Sequence, residues 1–225
     1  MAERRGRFIT FEGGEGSGKS TQAKRLADRL KLRGYETVLT REPGGSPGAE
    51  AIRHLLLNGI VKPLGPEAET FMFAAARDDH INTLIRPALE RGAWVVSDRF
   101  IDSTRVYQGT LGNVDQRLIR ALERLVVGDM LPDLTFILDV PPEDGLRRAH
   151  GRGGGADRFE AEHIEYHRLL REAYRELAER EPDRCILIDG TPSADAIAVR
   201  IWMHVSERFL RSPAPSPAPA TRARV

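Results

Sequence analysis

The chain lacks most of what would take it outside ordinary globular chemistry. Of 225 residues only Cys185 is a cysteine, so no internal disulfide can form and no thiol cluster can hold zinc. No apolar run approaches the roughly 20 residues that span a bilayer, which excludes a membrane-spanning helix. The opening "MAERRGRF" carries charge with no apolar stretch behind it, so a secretory leader is not expected and a cytoplasmic location is. Neither sign of charge is in excess, with 34 Lys and Arg against 33 Asp and Glu. A broad basic surface for a nucleic-acid backbone is therefore absent, and any anion site must be local. The six histidines give one helical i,i+4 pair, His163 and His167, with no second cluster in sequence to complete a metal site; the pair reads as surface helix.

What is present is a soluble composition, 40% hydrophobic and 30% charged, without a break that would mark a second core. Residues 1–211 are expected to form one domain. Beyond it the Pro/Ala-rich "SPAPSPAPATRARV" has almost no apolar bulk, and residues 212–225 are expected to stay disordered as a solvated tail.

Short apolar strands alternate with helical periodicity. Candidate strands are Phe8–Glu12, Thr37–Arg41, Trp94–Asp98, Leu134–Val140 and Cys185–Asp189. A helix starts near Lys19, with Ala23, Leu26, Ala27 and Leu30 on one face and Gly34 as its stop. A longer helical region runs from about Pro66 to Arg91, and Pro87 should kink or divide it. Others are expected near 113–127, 160–180 and 194–210. The alternation predicts an α/β fold: a five-stranded, mostly parallel sheet flanked by helices in three layers. Ligands of such sheets gather at the C-terminal strand ends, so the loops after Glu12, Arg41, Asp98 and Val140 carry the information.

The first of those loops is "GGEGSGKST". Gly13, Gly18, Lys19 and Ser20 satisfy G-x-x-x-x-G-K-[ST], with a strand before and an amphipathic helix after, the context of a P-loop. Backbone N–H groups of Gly13, Gly14, Glu15, Gly16, Ser17 and Gly18 would converge on phosphate oxygens, and Lys19, Ser20 and Thr21 complete the ATP-binding set. Lys19 should reach the β and γ phosphates, and the Ser20 hydroxyl would bind Mg²⁺. A P-loop alone does not say what receives the phosphate. Where a GTPase would read guanine this chain has "LDVPPEDG", which argues against guanine.

The second loop, "TREPGGS", brings Pro43, Gly44 and Gly45 to a strand end, as a tight turn or a close approach to ligand. The third strand ends in "SDRF": Asp98 stands where a carboxylate would hold magnesium, and Arg99 could grip a phosphate bidentately, unless the two form an ordinary surface pair. In "FMFAAARDD", Phe73 and Arg77 lie four apart on one helical face, which suits a platform for a base with a guanidinium at its edge. Core packing of Phe73 is the competing reading.

Taken in order, "FEGGEGSGKST", "TREPGG", "FMFAAAR", "DRF" with "STRVYQG", "PDLTFILDV" and "DRFE" resemble the bacterial thymidylate kinase family over about residues 7–210. The resemblance implies transfer of the ATP γ-phosphate to dTMP with Mg²⁺, on the way to dTTP, by a homodimer pairing through helices. It implies that Phe73 stacks on thymine, Arg77 bonds the base, Arg99 holds the acceptor phosphate and Glu15 lies near the sugar 3′-hydroxyl. Ser103 and Thr104 would line the base pocket, Tyr107 crowd the sugar 2′ position, Pro43 lie beside the base and Gln108 belong to the same motif. Small-molecule partners, dTMP and ATP, follow, with neither nucleic acid nor membrane. A kinase for another nucleoside monophosphate is the nearest alternative; an ATP-dependent switch acting on a partner protein is the alternative from another class.

Transfer between two phosphates needs more positive charge than Lys19 supplies. "GLRRAHGRGGGADRFE" surrounds Gly153, Gly154 and Gly155 with Arg147, Arg148, Arg152 and Arg158, which reads as a hinged lid over about 147–159. The resemblance implies a subgroup whose catalytic arginine lies in the lid, because Gly16 stands where the other subgroup has a cation in the P-loop. Arg152 is then the catalytic candidate beside Lys19 and Asp98, and Arg148 would pack on adenine. Thr191, in "IDGTPS", would either line the adenine pocket or cap the last helix.

Overall fold

The computed structural model describes residues 6–151, 159 and 162–210. Five parallel strands form one sheet: β1 (Phe8–Glu12), β2 (Thr37–Arg41), β3 (Trp94–Asp98), β4 (Leu134–Asp139) and β5 (Cys185–Asp189), in the order β2-β3-β1-β4-β5. The central strand β1, "FITFE", is buried along its whole length, and a strand covered on both faces has no need to alternate with polar residues. β4 stops at Asp139, one residue before the expected end.

One face is covered by α1 (Lys19–Leu32) and by α9 (Ala194–Val205). Ala23, Leu26 and Leu30 of α1 meet Ile197, Ile201, Trp202 and Val205 of α9 over Ile9, Phe11, Val96 and Phe136. Burying each large side chain of this layer contributes about 1.5–3 kcal/mol. The other face is built from helices in chain order: α2 (Pro47–Leu57), α3 (Pro66–His80), α4 (Arg86–Glu90), α5 (Ile101–Thr104), α6 (Gln116–Leu122), α7 (Pro142–His150) and α8 (Ile164–Arg180). On that side Phe8, Val95, Ile81, Ile85, Leu89 and Phe100 form one apolar cluster, and Ile137, Leu170, Tyr174 and Leu177 belong to a second. Side chains alternate along β1, so Phe8, Thr10 and Glu12 share this second face.

The helical region over 66–91, which Pro87 was expected to kink or divide, is divided, and the break lies ahead of the proline. Residues Ile81–Ile85 between α3 and α4 take the wider π spacing. Pro87 has no N–H, and its ring crowds the carbonyl four residues back, at Thr83; the wider turn absorbs that clash while Ile81, Ile85 and Leu89 stay on the sheet. A second π stretch, Arg105–Leu111, continues α5, and others follow α6 at Glu123–Val127 and α9 at Ser206–Leu210.

Three local expectations are corrected. The helix expected from 160 begins at Ile164, where His163 is its N-cap, and His167 is buried at 4% exposure instead of joining a surface pair. Apolar Tyr166, Leu170 and Tyr174 around it draw that face of α8 inward. The last helix is capped by Ser193, whose hydroxyl accepts from the Ala196 N–H, and not by Thr191. Thr191 instead gives its backbone N–H and hydroxyl to Asp189.

Candidate active site

The loop between β1 and α1 wraps the start of α1. The Lys19 ammonium is buried and donates to the carbonyls of Gly14 (2.6 Å) and Gly13 (3.1 Å). Burial, and the nearby Arg99 charge, lower its pKa to about 8. Ser20, one residue on, donates its hydroxyl to the Asp98 carboxylate at the end of β3. Among the described residues no group of three or more His, Cys, Asp or Glu gathers as a metal cage. A hydroxyl and one carboxylate beside a phosphate cradle nevertheless fit Mg²⁺, which keeps most of its water and takes phosphate oxygens as ligands.

Gly16 explains how tightly this loop is held. Its φ is +65°, and a Cβ there would lie 1.8 Å from the carbonyl oxygen of Gly145 in α7. A Cβ on Gly145 would in turn meet the Glu15 carbonyl at 2.4 Å. Loop and helix touch backbone to backbone, and only two glycines permit that.

Lys19, Ser20 and Asp98 open onto a cavity of about 260 Å³. Every residue expected on the acceptor side lines it: Glu15, Pro43, Phe73, Arg77, Arg99, Ser103, Thr104, Tyr107 and Gln108. Phe73, read as either platform or core, is half-buried on the cavity wall. The polar groups are pre-ordered. Arg99 donates to Glu15 at 2.6 Å and to Ser103 at 3.2 Å, and its guanidinium lies 5.1 Å from the centre of the Tyr107 ring. Tyr107 donates its phenol to the same Glu15 oxygen at 2.8 Å. Burial opposes ionisation of Glu15, but Arg99, Lys19 and the Tyr107 donor outweigh it and hold the pKa at about 2.

Arg99 has φ +72°, a left-handed conformation that costs a non-glycine residue roughly 1–2 kcal/mol. Three hydrogen bonds hold it there. The Arg99 N–H donates to the Phe11 carbonyl (2.9 Å), the Arg99 carbonyl accepts from the Ser97 hydroxyl (2.8 Å), and the next N–H, of Phe100, donates to the Glu12 carboxylate (2.8 Å).

Arg77 is locked from the opposite wall. Its Nε donates to Glu42 (2.8 Å), its Nη1 to Thr104 (3.0 Å) and its Nη2 to the Phe100 carbonyl (3.2 Å). Burial works against the charge on Glu42, yet Arg77 and His80 hold its carboxyl below the ordinary range. The His80 ring lies between Glu42 (3.1 Å) and Thr40 (2.8 Å). Gly45 makes room for this: at φ +89°, its Cβ would stand 2.3 Å from the Thr40 hydroxyl and 2.5 Å from His80. "PGG" is therefore a site of close approach by neighbouring side chains.

Glu42, His80, Arg53 and Phe159 were not expected from sequence. Glu42 and Arg53 line the cavity, as does Phe159, which meets Tyr107 edge to face at 5.3 Å. Arg53 could have been found from the Ser46-Pro47 helix start, because α2 carries it to the Pro43 carbonyl at 2.5 Å. The Glu42–His80 pair, 38 residues apart, had no local signal.

The expected lid is only partly described. Arg147 and Arg148 belong to the last turn of α7, so the helix continues to His150 where a hinged loop was expected. Arg147 is exposed and pairs with Asp144, while Arg148 donates to the carbonyls of Gly190 (3.0 Å) and Thr191 (3.4 Å). The catalytic candidate Arg152, with Arg158 and the three glycines, lies outside the described residues, as does the 212–225 tail.

Residues 11–201 match the family model "Thymidylate kinase". A thymidylate kinase of Bradyrhizobium diazoefficiens is 60% identical over 212 residues, covering 93% of either chain. One of Nitrobacter winogradskyi is 60% identical over 216 residues, covering 95% of this chain and 94% of the relative. In three dimensions the crystal structure of a thymidylate kinase from Ehrlichia chaffeensis superposes with a TM-score of 0.73 at 34% identity, over 90% of this chain and 99% of that one. Sequence and backbone agree over nearly the whole length, and the chain belongs to the thymidylate kinase family.

Proposed function

We propose that the protein transfers the γ-phosphate of ATP to dTMP, giving dTDP and ADP, a step in dTTP biosynthesis. The observation that carries this reading is a cavity that opens on Lys19 and is walled by Phe73, Arg77, Arg99 and Tyr107. An aromatic face and a locked guanidinium suit a pyrimidine base, Arg99 suits a phosphate, and Tyr107 on the same wall is the residue we assign to crowding a 2′-hydroxyl.

The roles follow from the chemistry of each group. Lys19 leaves the Gly13 and Gly14 carbonyls to meet the β and γ phosphates, whose charge holds its proton in place. Arg99 exchanges Glu15 for the acceptor phosphate, and Glu15 is then free to accept from the sugar 3′-hydroxyl. Ser20 and Asp98 would hold Mg²⁺, which would supply charge neutralisation between donor and acceptor. Little covalent chemistry remains for the protein; alignment and cation placement lower the barrier. Arg152 is the residue we assign to the remaining charge, and Arg148, already holding the Gly190–Thr191 backbone, to the adenine side.

A homodimer is part of the same reading. Leu64, Phe71 of α3 and Leu125 are 72%, 51% and 81% exposed, apolar side chains that pairing would cover. A cytoplasmic location is proposed too; no described helix is long and apolar enough to cross a membrane.

The test is a panel of monophosphates with ATP and Mg²⁺. dTMP should turn over fastest and dUMP more slowly but measurably, because one methyl in a pocket is worth about 1–3 kcal/mol. Faster turnover of AMP or CMP would overturn the reading.

A further inference from the structure

Glu12 ends the central strand, is 0% exposed and does not line the cavity, yet its carboxylate takes four hydrogen bonds. One oxygen accepts from the backbone N–H groups of Phe100 (2.8 Å) and Ser103 (3.2 Å). The other accepts from the hydroxyls of Ser103 (2.6 Å) and Tyr174 (2.9 Å). We propose that Glu12 is a positioning residue for the acceptor phosphate: from the sheet face that α5 covers it fixes the 99–103 backbone and thereby aims Arg99. The proposal rests on the reading of the cavity as a nucleoside monophosphate site.

The helix from Ile101 begins without a capping side chain of its own, since its N-cap is Phe100. In a capping box the N-cap side chain bonds the N–H three residues on, and a side chain at that position bonds back to the N-cap N–H. Here a neighbouring strand supplies both acceptors through one carboxylate, because Phe100 is the N-cap and Ser103 the third helical residue. The residue just before this cap is Arg99, held in its left-handed conformation. Without Glu12 the buried Phe100 N–H loses its acceptor and the Ser103 N–H keeps only the Phe100 carbonyl at 3.1 Å, so the backbone gains most by relaxing at that strained residue. Arg99 then loses its fixed direction, although Glu12 touches neither Arg99 nor any ligand.

The geometry also says which property of Glu12 matters. In Glu12→Gln the amide oxygen can still accept from both N–H groups, and the amide nitrogen faces two hydroxyls that can turn round to accept. The glutamine variant should therefore keep the function, and Glu12→Ala should lose it.

The experiment measures binding of dTMP and of thymidine, which lacks the phosphate, to the wild-type protein and both variants, together with KM for ATP. In Glu12→Ala the preference for dTMP over thymidine should fall by roughly tenfold or more, the worth of a charge-assisted contact, with thymidine affinity and KM for ATP within about threefold of wild type. Glu12→Gln should keep the wild-type preference within about threefold. An unchanged preference in Glu12→Ala overturns the proposal, as does an equal loss for dTMP, thymidine and ATP. An equally large loss of preference in Glu12→Gln overturns it too, because charge and not acceptance would then be the cause. If Glu12→Ala does not fold, Tyr174→Phe decides: a drop in preference of more than about threefold supports the proposal, and a smaller change overturns it. A wild-type protein that binds thymidine as well as dTMP would instead sink the acceptor-site reading itself.

Discussion

Binding of Mg²⁺-ATP should take up a proton above pH 8, and Lys19 is the group that takes it. In the free protein its ammonium is buried against the Gly13 and Gly14 carbonyls with Arg99 nearby, and its pKa falls from 10.5 to about 8. That change corresponds to roughly 3 kcal/mol favouring the neutral amine. Phosphate oxygens in the loop reverse the balance and return the pKa toward its ordinary value. At pH 9 a group of pKa 8 is about one-tenth protonated when free, so binding takes up about 0.9 proton; at pH 7 it takes up about 0.1. The sign is fixed: the bound state holds more protons, so affinity falls as pH rises, by up to about tenfold per pH unit between 8 and 10. Glu12, pushed up to about 7 by burial and by the Asp102 charge, is ionised through most of that window. Tyr107 and Tyr174 are held well above their ordinary pKa by burial, and Glu15 ionises near 2. Calorimetric titration with Mg²⁺-ATP at pH 7 and pH 9, in buffers of different ionisation enthalpy, reads the proton directly. No uptake at pH 9, with affinity flat from pH 8 to 10, would refute the assignment.

Three further outcomes follow from the same geometry. Phe73→Ala should raise KM for dTMP by roughly tenfold to a hundredfold, the worth of one base stacked on an aromatic ring, and leave KM for ATP unchanged; steady-state kinetics with each substrate varied checks this. Asp98→Asn, which weakens the acceptor for Ser20, should lower kcat by at least about tenfold and raise the Mg²⁺ concentration needed for half-maximal rate, read from a metal titration. Gly16→Arg should lower both Tm and ATP affinity, because any Cβ there meets the Gly145 carbonyl at 1.8 Å; a variant with wild-type Tm and KM would contradict that packing.

What the sequence made legible was what depends on neighbours in the chain. Strands such as "FITFE" and "CILID" are short apolar runs stopped by Gly or charge, and the P-loop is one contiguous motif at a strand–helix junction. The helix over 101–111 was not legible, because "IDSTRVYQGTL" mixes β-branched residues with Gly and carries no clean 3.6 period. It forms because Glu12, 88 residues away from Phe100, provides its cap. α2 hid for another reason: "SPGAEAIRHLLL" follows two glycines directly and reads as more turn before its periodicity is established. The cavity wall was read well where one motif holds several of its residues, as in "STRVYQG". It was missed where the partners came from distant segments, as with Glu42 and His80.

The contact between Gly16 and Gly145 bears on where catalytic charge can reside. A P-loop cation at position 16 would need a Cβ, and α7 leaves no room for one. Moving α7 away would also move Arg148, which holds the Gly190 and Thr191 carbonyls, and Glu143, which anchors α8 through Arg168 at 2.7 Å. Glycine at 16 is thus tied to the packing of a whole helix and is not an independent choice of residue. The positive charge that phosphoryl transfer needs beyond Lys19 must then come from a segment that does not share this contact. Arg77 and Arg99 meet this condition too but are engaged with Glu42 and Glu15 on the acceptor side, which is why we propose Arg152, among the arginines that follow α7 in the chain, for this charge.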